Sequence, residues 1–129
     1  MANRSHRHLP GPVDGPGDFE VHRYRCAECT VLEVAGEIDG ASAPQFRDEL
    51  VAAIAQPGAR VVVDLEHVVF MDCSGVGELV QAVARTGWTT GSVCLTRPTR
   101  FVRRVLDLTH VATVCPIYES VEAAVGDIA

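Results

Sequence analysis

The chain has 129 residues, of which 47% are hydrophobic and only 5% aromatic, and its formal net charge is −6. This length suits a single domain whose core is built mainly from Val, Leu, Ile and Ala. The acidic charge balance argues against a nucleic-acid-binding protein, which usually presents a basic face. No apolar stretch is long enough to span a membrane or to act as a signal peptide, so we expect a cytoplasmic protein.

The first 17 residues contain three prolines and three glycines but almost no periodic pattern of apolar residues. Such a composition is typical of a flexible terminal segment. We therefore predict a leader over residues 1–17 and one domain over residues 18–129, without internal repeats.

Two strands joined by a short turn are predicted after this leader. Residues 19–25 are typical of an edge strand, because charged residues interrupt the apolar ones, and residues 30–35 form a more apolar strand. Between them lies Cys26-Ala27-Glu28-Cys29, which has the length of a hairpin connection. The two strands are therefore expected to be antiparallel.

A loop and a helix follow the hairpin. Gly36-Glu37-Ile38-Asp39-Gly40 closes the second strand, and Ser42 precedes a helical pattern with Pro44 in its first turn and Gln45 three residues on. Serine at the N-cap with glutamine three residues later indicates a helix start. Pro57-Gly58 ends this helix. Its expected buried stripe comprises Phe46, Leu50, Ala53 and Ile54.

The centre of the chain is a continuous apolar run followed by a turn of small residues. Residues 61–65 suit a strand buried on both faces, and residues 70–77 lead into a second helix. Ser74 lies at or just before the N-terminus of that helix, where a hydroxyl can cap the helix and a phosphate is tolerated. The apolar stripe of the second helix comprises Val76, Leu79, Val80 and Val83.

The last third of the chain continues the alternation of strands and helices. Gly87 ends the second helix, residues 92–95 form the next strand, and a third helix follows Pro98. A short strand over residues 111–117 and a closing helix over residues 120–128 come last. This order predicts an α/β fold with a mostly parallel sheet of four to five strands, an antiparallel edge strand and about four helices.

The loop at Asp39 and the turn at Ser74 both follow strands that we expect to run parallel. The carboxyl ends of parallel strands meet at one edge of a sheet, where functional loops gather. The sequence therefore predicts one site with an acidic rim, formed by both segments.

Several short motifs stand out along this predicted fold. They are Gly36-Glu37-Ile38-Asp39, Val63-Asp64-Leu65, Phe70-Met71-Asp72-Cys73-Ser74-Gly75-Val76-Gly77, Leu106-Asp107-Leu108-Thr109, Ile117-Tyr118 and Ser120-Val121-Glu122-Ala123-Ala124. In this order and spacing they resemble the STAS-domain family, and within it the bacterial anti-sigma factor antagonists. The resemblance covers residues 19–128, which is the extent of one complete domain.

The resemblance implies a binding protein that is not an enzyme and needs neither a cofactor nor a metal. In the family, the unphosphorylated protein binds an anti-sigma factor that is also a serine kinase, and this releases a sigma factor. The kinase phosphorylates the serine that aligns with Ser74, binding is then lost, and a serine phosphatase reverses the modification. The partner-binding surface implied for this chain comprises Asp39, Asp72, Cys73, Ser74, Gly75 and Val76.

Two alternatives compete with this interpretation. A hydrolase would use Ser74 as nucleophile and would need His67 or His110 as its base. Neither histidine has an evident orienting carboxylate, and the residues around Ser74 do not form the Gly-x-Ser-x-Gly elbow. The second alternative is a STAS module that serves another phosphorylation- or redox-regulated partner-switching complex.

The five cysteines raise redox or metal sensing as a third function class. Cys26 and Cys29 have the spacing of half a zinc site or of a redox pair, but no second pair completes a four-ligand site. In a reducing cytoplasm, free thiols on a hairpin are the simpler expectation. Cys73 stands where the family often has serine, which makes it a candidate redox site beside Ser74. Cys94 and Cys115 are expected in the core.

One basic cluster interrupts the acidic sequence. It comprises Arg97, Arg100, Arg103 and Arg104. A solvated helix face is the simpler interpretation of such a cluster, and docking of an acidic partner is the alternative.

Overall fold

The computed structural model describes residues 18–89 and 91–128, and the predicted leader over residues 1–17 lies outside the described residues. The helices and strands alternate from the second strand onward. In chain order they are β1 Phe19–Cys26, β2 Cys29–Ile38, α1 Ala43–Ala53, β3 Val61–Met71, α2 Cys73–Arg85, β4 Val93–Thr96, α3 Arg100–Thr109, a 3-10 turn Val111–Thr113, β5 Ile117–Tyr118 and α4 Val121–Ile128.

The five strands form one sheet in the order β1-β2-β3-β4-β5. The edge strand β1 is antiparallel to β2, whereas the neighbours from β2 to β5 all run parallel. Ala27 and Glu28 form the two-residue turn of the hairpin, with Cys26 and Cys29 directly opposite each other. The predicted α/β fold with an antiparallel edge strand is therefore confirmed.

Helices cover both faces of this sheet. Successive side chains of a strand point to opposite faces, so the strands contribute to an apolar core on each face. Val61 and Val63 of β3 belong to the larger apolar core, which contains the buried residues of α1, α2 and α3. Val62, between them, belongs to a smaller core on the other face with Val121 and Ala124 of α4. The helix residues of the larger core include Phe46, Leu50, Leu79, Val83, Val102 and Leu106.

Strand β3 is longer than the apolar run predicted, since it continues from Leu65 to Met71. The register between β2 and β3 is irregular here: Glu33 pairs with Asp64, but Ala35 pairs with His67. Such a bulge inserts an extra residue and interrupts the alternation of buried and exposed side chains. This part of β3 is therefore a strand although its sequence lacks the usual alternation of buried and exposed side chains.

The predicted last strand over residues 111–117 is wrong, because only Ile117 and Tyr118 form β5. Val111 and Cys115 are both buried, and the N–H of Cys115 donates to the carbonyl of Val111 at 2.9 Å. A four-residue spacing between buried residues belongs to helical turns rather than to strands. The β-branched composition of the segment favoured a strand, but tertiary burial of these two side chains decided its conformation.

Candidate functional site

The ends of β2 and β3 lie side by side at the carboxyl edge of the sheet. The N–H of Asp72 donates to the carbonyl of Ile38 at 3.2 Å, which joins the two strand ends. A Cβ atom on Gly40 would lie 3.8 Å from the hydroxyl oxygen of Ser74. The structure thus brings the loop after β2 and the turn after β3 into contact. Sequence reasoning missed Gly40, whose only signal was its place next to Asp39.

Helix α2 is capped by Asp72, so Ser74 does not take the N-cap role that a position at or just before the helix start would have allowed. The carboxylate of Asp72 accepts a hydrogen bond from the N–H of Ser74 at 2.8 Å, and the helix begins at Cys73. Aspartate and serine are comparably good N-caps, so the sequence alone left both positions open. Ser74 is the second residue of the helix and is partly exposed. Within residues 18–89 and 91–128, its hydroxyl has no hydrogen-bond partner.

The carboxylate of Asp39 holds the loop that precedes α1. One of its oxygens accepts hydrogen bonds from the N–H groups of Ala41 and Ser42, both at 3.0 Å. Ser42 does occupy the N-cap of α1, as predicted, but its hydroxyl donates to the carbonyl of Glu37 at 2.7 Å instead of capping the helix. Asp39 is therefore a structural residue of the loop as well as a candidate contact residue.

The six residues predicted for the partner-binding surface differ in their exposure. Cys73 is exposed, and Asp39, Asp72 and Ser74 are partly exposed. Gly75 and Val76 are buried, so their side-chain positions face the core and seat the helix on the sheet. A Cβ atom on Gly75 would lie 2.8 Å from Cγ2 of Ile38, which means that only glycine fits there without movement.

An aromatic pair extends the surface beside this turn. The rings of Phe70 and Phe101 are stacked with their centroids 5.5 Å apart, and Phe70 lies two residues before Asp72. The side chains of Phe101 and Val69 are 48% and 64% exposed, which is unusual for large apolar residues. The stacked pair of Phe70 and Phe101 thus forms an apolar patch beside the turn that follows β3.

The basic cluster divides into paired and unpaired arginines. Arg97 donates to both carboxylate oxygens of the buried Asp64, with its shortest contact at 2.8 Å, and also contacts Glu66 at 3.1 Å. The hydrogen bond to Asp64 raises the pKa of the Arg97 guanidinium. Arg97 is therefore tied into the fold. By contrast, Arg100 and Arg104 on α3 have no ion pair with any residue that the structure describes.

His67 and His110 are the two candidate bases for a hydrolase that would use Ser74. His67 lies 3.7 Å from Glu66, and His110 ends α3 with a left-handed backbone. Among the described residues, neither histidine hydrogen-bonds to Ser74. The described part of the chain also holds no cluster of three or more Cys, His, Asp or Glu side chains that could bind a metal ion. None of its helices has the length and apolar character needed to cross a membrane.

Comparison with known proteins connects this geometry to a family. The family model of the STAS domain matches residues 21–124. The chain belongs to the STAS domain family. This result confirms the family resemblance of the sequence motifs.

Individual STAS proteins resemble the chain in sequence and in fold. This chain is 32% identical over 94 residues to the anti-sigma-B factor antagonist of Bacillus subtilis (strain 168). The match covers 73% of this chain and 85% of that protein. An anti-sigma factor antagonist from Mycobacterium paratuberculosis superposes with a TM-score of 0.80 at 21% identity, covering 90% and 98% of the two chains. The phosphorylated form of the Bacillus cell fate determinant SpoIIAA gives a TM-score of 0.62 at 23% identity, covering 87% and 100%. At these identities the two structures show a common fold.

Proposed function

We propose that this STAS protein is an anti-sigma factor antagonist whose binding is switched by phosphorylation of Ser74. In this proposal the unphosphorylated protein binds an anti-sigma factor with serine kinase activity and so releases a sigma factor. A serine phosphatase restores the binding form. The observation that carries the proposal is the position of Ser74, which is partly exposed on the first turn of α2 with a hydroxyl that has no hydrogen-bond partner among the described residues. The names of two similar proteins, both anti-sigma factor antagonists, support it.

The charges around Ser74 give the switch its physical basis. Phosphorylation adds a charge of about −1.5 to −2 at neutral pH. The new dianion would lie beside the carboxylate of Asp72, whose oxygen is 2.8 Å from the N–H of Ser74, and near the loop of Asp39. A partner placed against this surface would have to desolvate the phosphate together with the carboxylate of Asp72. Loss of binding is the expected result.

The fold itself should tolerate the phosphate. The hydroxyl of Ser74 takes part in no hydrogen bond within the described residues, so its modification breaks none there. The N-terminus of α2 also favours negative charge through the helix dipole, which offsets part of the repulsion from Asp72. Phosphorylation should therefore change the docking surface and leave the sheet and its helices in place.

The surface beside Ser74 has the composition of a protein-binding surface. The apolar patch formed by the stacked pair of Phe70 and Phe101 supplies large side chains that can bury area against a partner. Arg100 and Arg104 flank it as exposed cations in a protein with a net charge of −6. In this proposal an anti-sigma factor contacts both the serine and this patch.

The proposal is tested by incubating the protein with ATP and each anti-sigma kinase encoded in the same genome, and then locating phosphate by mass spectrometry. We expect phosphate on Ser74, no phosphorylation of Ser74→Ala with retained binding, and weaker binding of Ser74→Glu. Ser120→Ala is a matched control, because Ser120 also starts a helix and accepts a hydrogen bond from the N–H of Ala123 at 3.0 Å. It should be phosphorylated like the wild type.

Two results would decide against the proposal in different ways. Phosphate on Ser42 or Ser92 with Ser74 unmodified would contradict the assignment of the switch. Phosphorylation of Ser74 by a kinase that holds no sigma factor would instead favour a STAS module in another partner-switching complex.

A further inference from the structure

The hairpin between β1 and β2 holds two thiols directly opposite each other. Cys26 and Cys29 are partners in the antiparallel ladder. Such partners have Cα atoms about 4.5–5.5 Å apart, which falls within the 4.4–6.8 Å range of disulfides. Both side chains belong to the same apolar cluster beneath α4, so they point to the same face of the sheet. The two Cα atoms therefore have a separation that a disulfide allows, and the two side chains lie on the same face of the sheet.

The other three cysteines are placed where neither thiol can reach them. Cys94 lies on β4, which is two strands from β2 and so about 9–10 Å away, beyond the limit of about 7 Å for a disulfide. Cys115 belongs to the larger core on the opposite face of the sheet. Cys73 follows β3 at the other end of the sheet, roughly 30 Å along the strands from Cys29.

We propose that Cys26 and Cys29 are a modification site that forms a reversible disulfide when the protein meets a peroxide. This inference goes beyond the proposed function and does not depend on it. Cys26 is partly exposed and Cys29 is fully buried, so peroxide reaches Cys26 first. The buried thiol then acts as the resolving group, which protects the pair from further oxidation.

The chemistry balances in two steps. The thiolate of Cys26 attacks hydrogen peroxide, the O–O bond breaks, and a sulfenic acid and a hydroxide ion form. The hydroxide takes up the proton that the Cys26 thiol had released and becomes the first water. The sulfur of Cys29 attacks the Cys26 sulfur, the S–S bond forms, the S–O bond breaks and the second water leaves. Peroxide is reduced by two electrons and the two thiols are oxidised. Burial, followed by the neighbouring Cys26, raises the pKa of Cys29, so the second step should accelerate as pH rises.

The disulfide would fasten the edge strand that supports the Asp39 loop. At the open end of the hairpin, the N–H of Glu37 donates to the carbonyl of Asp18 at 3.0 Å. The backbone of Gly36 lies so close to Asp18 that a Cβ atom there would clash with its carbonyl oxygen. A covalent link at the closed end restricts separation of β1 from β2, and so keeps this support in place.

The test is made on the full chain carrying Cys73→Ser, which removes the most accessible thiol. The protein is treated with hydrogen peroxide and then labelled with N-ethylmaleimide under denaturing conditions. Mass spectrometry measures how many thiols carry the label. We expect the loss of two labelled thiols, a Cys26–Cys29 cross-linked peptide and full recovery with dithiothreitol. Amide hydrogens of β1 should exchange several-fold more slowly in the oxidised form.

Two further variants separate the roles of the thiols. In Cys29→Ala, peroxide should leave Cys26 as a sulfenic acid that dimedone traps, and in Cys26→Ser no internal disulfide should form. Both thiols still open to labelling after peroxide would overturn the proposal. A bond from either thiol to Cys94 or Cys115 would also overturn it, because it would contradict the register of the sheet.

Discussion

Gly75 lies so close to Ile38 that a Cβ atom on the glycine would be 2.8 Å from Cγ2 of Ile38 and 2.9 Å from Cγ of Met71. Real Cβ atoms are not found at such distances, so α2 can approach the sheet only because this residue has no side chain. Gly77, two residues later on the same helix, has no atom within 4 Å of the corresponding position among the described residues. The two glycines therefore form a natural pair of test and control.

We expect alanine to have opposite effects at these two glycines. Gly75→Ala should lower the free energy of unfolding by about 1–3 kcal/mol, because the methyl group overpacks the helix–sheet contact. Gly77→Ala should raise it by about 0.5–1 kcal/mol, because alanine is the better helix former. Urea unfolding of both variants measures the difference. Equal stabilisation by both would contradict the close contact at Gly75.

The charge of Asp39 can be separated from its role in the loop. In Asp39→Asn the amide oxygen can still accept from the N–H groups of Ala41 and Ser42, so the melting temperature should change by only a few degrees. Asp39→Ala removes the acceptor and should cost about 1–3 kcal/mol. We expect the Asn variant to be phosphorylated more slowly or bound more weakly. Normal phosphorylation of the Asn variant together with an unstable Ala variant would mean that Asp39 is purely structural.

The pair of Asp64 and Arg97 should matter for stability rather than for docking. Asp64 is only 2% exposed, whereas the Arg97 side chain is 38% exposed, so removing the arginine leaves a buried carboxylate without its cation. We expect Arg97→Ala to cost about 2–4 kcal/mol in urea unfolding. Arg104→Ala removes an exposed arginine from α3 and should change stability by less than about 0.5 kcal/mol. A similar small effect at Arg97 would show that the pair contributes nothing.

Stability should fall in alkaline solution because of two buried thiols. Burial raises the pKa of both Cys94 and Cys115 from 9.0 to about 12. Above pH 9 the unfolded chain therefore loses these protons while the folded chain keeps them, which favours unfolding. Each thiol should lower the free energy of unfolding by up to about 1.4 kcal/mol per pH unit until its folded pKa is reached.

The double variant Cys94→Ala/Cys115→Ala isolates this effect. Urea unfolding is compared at about pH 8 and about pH 10.5 for the wild type and the variant. The decline should be shallower in the variant, since both titrating groups are gone. Parallel curves would mean that other groups cause the alkaline loss; one such group is Tyr118, whose pKa is raised to about 12, mainly by its hydrogen bond to Asp127.

Cys73 should respond first to reagents that attack exposed thiols. It begins α2 next to Ser74 and is exposed, whereas Cys26 is only partly exposed. We expect iodoacetamide to modify Cys73 before the others and to lower partner affinity at least as far as Ser74→Glu does, because the adduct occupies the docking surface. Cys73→Ser, which restores the residue common in the family, should keep its affinity after treatment. Equal losses in both proteins would rule out Cys73 as the cause.

Much of the architecture could be predicted because local and tertiary preferences agree. The two-residue turn between Cys26 and Cys29 fixes an antiparallel hairpin, and the apolar run at residues 61–65 marks the strand at the centre of the sheet. The meeting of the Asp39 and Ser74 segments followed from the parallel direction of β2 and β3. The predicted topology was therefore sufficient to bring the Asp39 and Ser74 segments together at one edge of the sheet.

The details that escaped prediction depend on atoms that come from elsewhere in the fold. Asp72 rather than Ser74 caps α2 because an extended backbone at Asp72 directs its carboxylate to the helix. Ser42 turns away from the helix N-terminus because the carbonyl of Glu37 lies within reach. The Cβ position of Gly40 lies within 4 Å of the Ser74 hydroxyl only because two separate loops meet. Sequence patterns within one segment carry no information on such contacts.

Strand β3 extends further than its neighbour β4, and this difference has a consequence for aggregation. β4 pairs with β3 only as far as Asp64, whereas β2 follows it to Met71. An uncovered strand edge is a template on which another chain can add a strand. Here the hydroxyl of Thr99 donates to the carbonyl of Val68 at 3.3 Å, and Phe101 stacks on Phe70 beside it. The start of α3 thus lies where an added strand would attach, and it covers this exposed edge of β3.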